Sequence, residues 1–170
     1  MIDFERQILG ETDSVLELES SEDNRQATIR MLQQASRSLL IASREMDPAI
    51  YDVPDVIEAF KKMILDNRRM KVRIVVFEPQ KIAQRSHQIL RLAGDLSSFI
   101  DIRRGGRQHE HYAESMLVAD DSGYIHRQQW DRFAGRANFN DLRRSRALST
   151  DFETMWTAAV QDSNLRRLRI

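Results

Sequence analysis

The chain has 170 residues, 26 Lys+Arg balanced by 26 Asp+Glu, 41% apolar residues and no cysteine. A single domain of this size buries about 70% of the surface its unfolded form exposes, and the composition is that of neither a disordered nor a membrane chain. The absence of cysteine excludes disulfide frameworks, thiolate nucleophiles and Cys-ligated zinc.

The opening residues, MIDFERQILGETDS, carry acid where a signal peptide carries base, and no run of about 18 apolar residues follows, so a cytoplasmic location is the expectation. Eight acids crowd residues 1–23 against one base, Arg6, and 22 of the 26 bases are arginine. Guanidinium forks suit carboxylate or phosphate pairing, although a codon bias towards arginine accounts for the excess equally well.

Residues 14–19 (SVLELE) alternate and read as a strand. Ser21 is a candidate N-cap, with Glu22 and Asp23 in the first turn, and Ala27, Met31, Leu32 and Ala35 set a helix over 22–36. Residues 38–43 (SLLIAS) form a short apolar run typical of a buried strand. The stretch DPAIYDVPD reads as a loop, and Val56, Ile57, Phe60, Ile64 and Leu65 mark a second helix that stops near Asn67. Residues 71–77 (KVRIVVF) are the clearest strand, closed by Pro79. Ile82, His87, Ile89, Leu90 and Ala93 predict one helix ending near Gly94, with His87 a core or interface histidine, and residues 98–103 a further strand.

Gly105 and Gly106 open a polar loop carrying His109 and His111. Residues 115–127 read as a hairpin turning at Asp121, Ser122 and Gly123. An arginine-rich loop is expected over about 128–147, then a last helix capped by Ser149 or Thr150, with Phe152, Met155, Trp156 and Ala159 on one face. Strands alternating with helices predict an α/β domain: a mixed, largely parallel sheet covered by helices on both faces.

Four stretches, in order, resemble a phospholipase D superfamily half-domain over residues 14–160. They are ATIRMLQQASRSLLIASREMD (27–47), VIEAFKKMILDNRRMKVRIVVFEP (56–79), SMLVADDSGYI (115–125) and DFETMWTAA (151–159). The resemblance leaves 1–13 as an N-terminal extension and 161–170 as a tail. It implies a bacterial-type protein and a metal-free, cofactor-free chemistry: one histidine attacks phosphorus, a second protonates the leaving oxygen, and lysines and asparagines hold the phosphate. It also implies homodimerisation, because chains with one signature motif pair their half-sites.

The signature H-x-K-x-x-x-x-D, followed by G-S-x-N, is incomplete here. With its aspartate on Asp120, the histidine position is Ala113 and the lysine position Ser115; with Asp121, these become Glu114 and Met116. The segment after the turn, HRQQWDRF, has no G-S pair, and Asn138 and Asn140 lie further on. A catalytically degenerate binding or assembly module is therefore expected, its phosphate-containing ligand held by Arg103, Arg104, Arg107, Ser115, His126 and Arg127 together with His109 and His111.

The alternatives are an active phosphodiesterase or nuclease using relocated His109 or His111 with Asp120, and a purely structural partner of another protein. The pair His109 and His111 would share one side if the strand began early. A metal held by His109, Glu110, His111 and Asp120 is the weaker form of the same idea, and no metal is expected. Arg132, Arg136, Arg143, Arg144 and Arg146, interleaved with Trp130, Phe133 and Phe139, suit a phosphate backbone, but Asp131, Asp141 and a neutral chain make nucleic acid a weak candidate. No membrane partner is expected.

Overall fold

A computed structural model describes residues 1–166. Its seven strands form one mixed sheet in the order β1-β7-β6-β5-β2-β3-β4. The strands are β1 (Leu16–Leu18), β2 (Ser38–Ser43), β3 (Lys71–Val76), β4 (Ile100–Arg104), β5 (Ser115–Ala119), β6 (Gly123–Arg127) and β7 (Gly135–Asn138). β2, β3 and β4 run parallel, while β5 turns the sheet antiparallel against β2 and continues through β6 and β7 to β1.

Six α-helices accompany the sheet: α1 (Ser21–Gln34), α2 (Pro48–Tyr51), α3 (Pro54–Asp66), α4 (Pro79–Gln84), α5 (Gln88–Asp95) and α6 (Leu142–Ala158). Because strand side chains alternate between faces, the sheet feeds two cores. On one face Leu39, Ile41, Ile74, Leu117 and Ile125 meet Met31 and Leu32 of α1 and Phe60 and Ile64 of α3. On the other, Leu40, Ala42, Val75, Met116, Val118 and Tyr124 meet Leu148, Phe152 and Met155 of α6. Fully buried side chains such as Phe60 and Phe152 each contribute about 1.5–3 kcal/mol relative to exposure.

The architecture matches the expected mixed sheet with helices on both faces, but it is not largely parallel: only β2–β3 and β3–β4 run parallel, because the β5–β6 hairpin and β7 and β1 add antiparallel strands. Several boundaries also differ for local reasons. The cap of α1 is Ser20, whose hydroxyl accepts from the Asp23 amide, rather than Ser21. The predicted loop at 47–55 holds α2, with Asp47 capping it and Pro48 in its first turn. The single helix expected from Ile82 to Ala93 is two, α4 and α5. Ser86 breaks it in the left-handed region at φ 51°, and His87 starts the next helix by accepting the Ile89 amide on Nδ1.

The predicted arginine-rich loop contains β7 and the first turns of α6. Asp141, not Ser149 or Thr150, caps that helix by accepting from the Arg144 amide at 2.9 Å. Within α6, the buried positions Ser145, Leu148, Phe152 and Met155 recur at helical spacing.

Residues 1–13 lie against the domain: Ile2, Phe4 and Leu9 pack on the first core, and the Gly10 amide donates to the Phe139 carbonyl at 2.8 Å. The tail expected over 161–170 is described to Arg166, and the rest of it lies outside the described residues. Among the described residues no helix is long and apolar enough to cross a membrane.

Candidate functional site

The β5–β6 hairpin positions the residues singled out by the sequence. At its turn, Asp120 sits at φ 52°, a left-handed conformation that aspartate tolerates better than most side chains. Its carboxylate accepts the backbone amides of Ser36, Arg37 and Ser38 at 3.0, 2.8 and 3.0 Å. The Arg37 guanidinium donates to the Asp120 carbonyl at 3.0 Å. Asp120 thus fastens the chain between α1 and β2 to the hairpin, and it is buried.

The other end of the hairpin lies beside the carboxyl ends of β2, β3 and β4. Ser115 stands opposite Arg127 across the ladder. By strand alternation both share the face of Leu117 and Ile125. The Arg127 side chain, 3% exposed, donates to the Arg132 carbonyl at 2.9 Å and faces the Asp47 carboxylate at 3.5 Å. Gly135 gives it room, because a Cβ there would meet Arg127 Cγ and the His126 carbonyl at 2.7 Å. Tyr51 lies buried in the same region, its phenol pushed up to about 12, chiefly by burial and further by Asp47, against the opposing charge of Arg127.

Arg44, just past β2, closes this edge. It donates to the Tyr112 carbonyl at 2.8 Å and the Glu110 carbonyl at 3.2 Å, pairs with Glu78 at 3.2 Å, and lies over Trp130. Lys81 and Arg85 pair in turn with Glu45. The Tyr112 hydroxyl is buried with no hydrogen-bond partner, and burial, then Glu114, push its pKa well above the ordinary phenol value. The cations of this edge therefore arrive with acidic partners.

The expected ligand set is not brought together as one constellation. Ser115 and Arg127 face each other, but His126 shares the face of Tyr124, towards α6. Arg103 lies over the Trp156 ring at 4.2 Å and pairs with Asp101. Arg104 pairs with Asp162 at 3.0 Å, and Arg107 is exposed in the 3-10 turn Arg107–His109.

The early strand that would align His109 and His111 is absent: β5 starts at Ser115, and the His111 side chain is 96% exposed. His109 keeps its Nδ1 buried without a hydrogen-bond partner. Asp120 closes the opposite end of β5, so His109, Glu110, His111 and Asp120 do not converge. Among the described residues no group of three or more His, Asp or Glu side chains is placed to hold a metal ion.

Sequence reasoning missed Asp47 and Tyr51, which α2 brings to Arg127, and Arg44, which the end of β2 brings to the Tyr112 and Glu110 carbonyls. It also missed the partners of His126. The imidazole meets Glu114 Oε1 through Nε2 at 2.5 Å, and its Nδ1 accepts from Arg144 Nη2 at 3.1 Å.

With this geometry in place, comparison with known proteins is informative about the fold. A family model described as a domain of unknown function (DUF7931) matches residues 20–168. No curated protein matches the chain. Among solved structures, the chain is similar to the phospholipase D family member Nuc from Salmonella typhimurium, at 14% identity and TM-score 0.64, over 88% of this chain and 97% of that one. NucT from Helicobacter pylori gives 15% identity and TM-score 0.63, over 88% and 98%. The archaeal chromatin protein TrmBL2 gives 15% identity and TM-score 0.63 over 89% of this chain, which spans about half (55%) of that protein.

Proposed function

The chain belongs to the DUF7931 family, a domain of unknown function on a phospholipase D-like fold, and from that premise we propose that it is a catalytically silent binding or assembly module for a phosphate-containing ligand. The observation that carries this reading is the division of the motif along one hairpin. The aspartate position holds backbone amides, and the positions where the resemblance calls for a nucleophile and a phosphate clamp are Ala113 and Ser115.

An alanine side chain has no attacking atom. A serine hydroxyl needs a neighbouring base, and across the ladder Ser115 faces the guanidinium of Arg127, which accepts no proton. Arg127 in turn is matched by Asp47, so little free charge is left there to stabilise a phosphoryl transition state. Homodimerisation belongs to the same reading on the resemblance alone. Sedimentation of the chain checks it: a dimer mass supports it and a monomer mass removes it.

The reading is tested by melting the protein with inorganic phosphate, nucleoside monophosphates and an activated phosphodiester, in chelator. A bound ligand at a hundred times its Kd stabilises by about 2.7 kcal/mol. Stabilisation without release of product is expected. Product release above the background of the His109→Ala/His111→Ala variant would overturn catalytic silence, and the absence of stabilisation by any of these compounds would overturn ligand binding.

A further inference from the structure

On the α6 face of the sheet, away from the Ser115–Arg127 pair, a cavity of about 670 Å³ opens between β6, β7 and the first turn of α6. Tyr124, His126, Gln128, Arg132, Arg136 and Arg144 line it. Its volume falls in the range of small-molecule sites, about 300–1,000 Å³.

His126, whose side chain is 8% exposed, orients one of its cations from below. Arg144 can only donate, so Nδ1 of the ring accepts and the imidazole proton resides on Nε2, where it is donated to Glu114. Arg144 is therefore oriented by the ring, and its guanidinium has no acidic partner among the described residues. The Arg132 guanidinium has neither a hydrogen bond nor an ion pair among them, while its carbonyl anchors the loop by accepting from Arg127.

Two acids share the cavity, and both are engaged. Glu17 pairs with Arg136 at 3.1 Å, and Asp141 caps α6 by accepting the Arg144 amide. What remains is the Arg132 guanidinium, without a hydrogen bond or ion pair among the described residues, and the Arg144 guanidinium, bonded there to His126 alone, beside the side-chain amide of Gln128.

We propose that this cavity binds a phosphorylated small molecule, with Arg132 and Arg144 holding the phosphate and the organic body occupying the space beside Tyr124. Fork-shaped donors match phosphate oxygens two at a time, and the cavity is larger than a bare phosphate needs. The inference rests on the binding reading above and gives it an address on the opposite face of the hairpin.

The test is titration calorimetry of the full chain with inorganic phosphate and with adenosine monophosphate, repeated on Arg132→Gln, Arg144→Gln and Arg107→Ala. The Arg132 side chain carries no hydrogen bond or ion pair among the described residues, so Arg132→Gln reports on the ligand rather than on folding. Expected are tighter binding of the nucleotide than of phosphate and a loss of at least tenfold in affinity in each of the first two variants. Unchanged affinity in both would overturn the site. Loss confined to Arg107→Ala would overturn it too and leave the binding reading standing elsewhere. Absence of heat with either probe at millimolar concentration would overturn the cavity as a phosphate site. Diester turnover would refute catalytic silence alone, without touching this result.

Discussion

The two ends of the β5–β6 hairpin carry buried charge in different ways. At the turn, Asp120 meets three backbone amides at 2.8–3.0 Å, donors fixed by the chain path itself. At the open end, Arg127 meets one carbonyl and, at 3.5 Å, one carboxylate that is itself only partly buried. A charge held by backbone is tied to the fold, whereas one held by another side chain can be exchanged together with its partner. On that argument Asp120 serves architecture, and under the proposed function the positions beside Arg127 are open to residues that do no chemistry.

The comparison breaks most directly at the turn. Asp120→Ala takes the charged acceptor from three backbone amides, those of Ser36, Arg37 and Ser38, and is expected to lower unfolding stability by about 3–5 kcal/mol in urea titration. Asp120→Asn keeps an acceptor and tolerates the left-handed backbone, so the loss should fall to about 1–2 kcal/mol. A milder cost for alanine than for asparagine would remove the structural role.

At the open end, Arg127→Met leaves Asp47 without its counter-ion and is expected to cost about 2–3 kcal/mol. Adding Asp47→Asn should recover part of that loss, a coupling measured by the double-mutant cycle. Simple additivity would mean that the two groups do not interact. Gly135→Ala drives a Cβ against Arg127 Cγ and a fixed carbonyl, and should cost about 1–3 kcal/mol by the same titration.

The smallest effect lies away from the hairpin, at His87. Burial is the main cause holding its pKa below the ordinary 6.5, outweighing the pull of Asp52. Below pH 6.5 the unfolded chain therefore binds the extra proton first, and stability present above that pH is lost as pH falls towards the folded value. The slope is at most about 1.4 kcal/mol per pH unit. His87→Asn preserves a capping side chain, and its stability should lose that slope between pH 6.5 and the folded value.

Much of this fold could be read from periodicity. Residues 38–43 form an apolar run between serines and residues 71–76 are apolar apart from Lys71 and Arg73, because helices cover both faces, and residues 115–127 announce their turn. The failures share a physical cause. β7, GRAN, lacks β-branched residues and pairs because Gly135 fits against the His126 carbonyl and Arg127. The first turns of α6 are mostly arginine and polar, and only Ser145 and Leu148 reveal the buried stripe.

Ile82 and Ile89 keep a helical interval across the break at Ser86, which hides it. In the candidate site, the places of Ser115 and Asp120 at the two ends of one hairpin strand were legible in the sequence. The Arg127–Asp47 pair and the Glu114–His126–Arg144 chain were not, because each is completed by an element distant in sequence, the start of α2 in the first and α6 in the second.

The central claim is that the motif's architecture is present without its chemistry. It is tested most directly by hydrolysis of an activated phosphodiester by the purified chain in chelator, beside the His109→Ala/His111→Ala variant. The account predicts no release of product above that variant's background. Turnover by the wild-type chain that the double variant loses would contradict it and make those histidines a relocated catalytic pair.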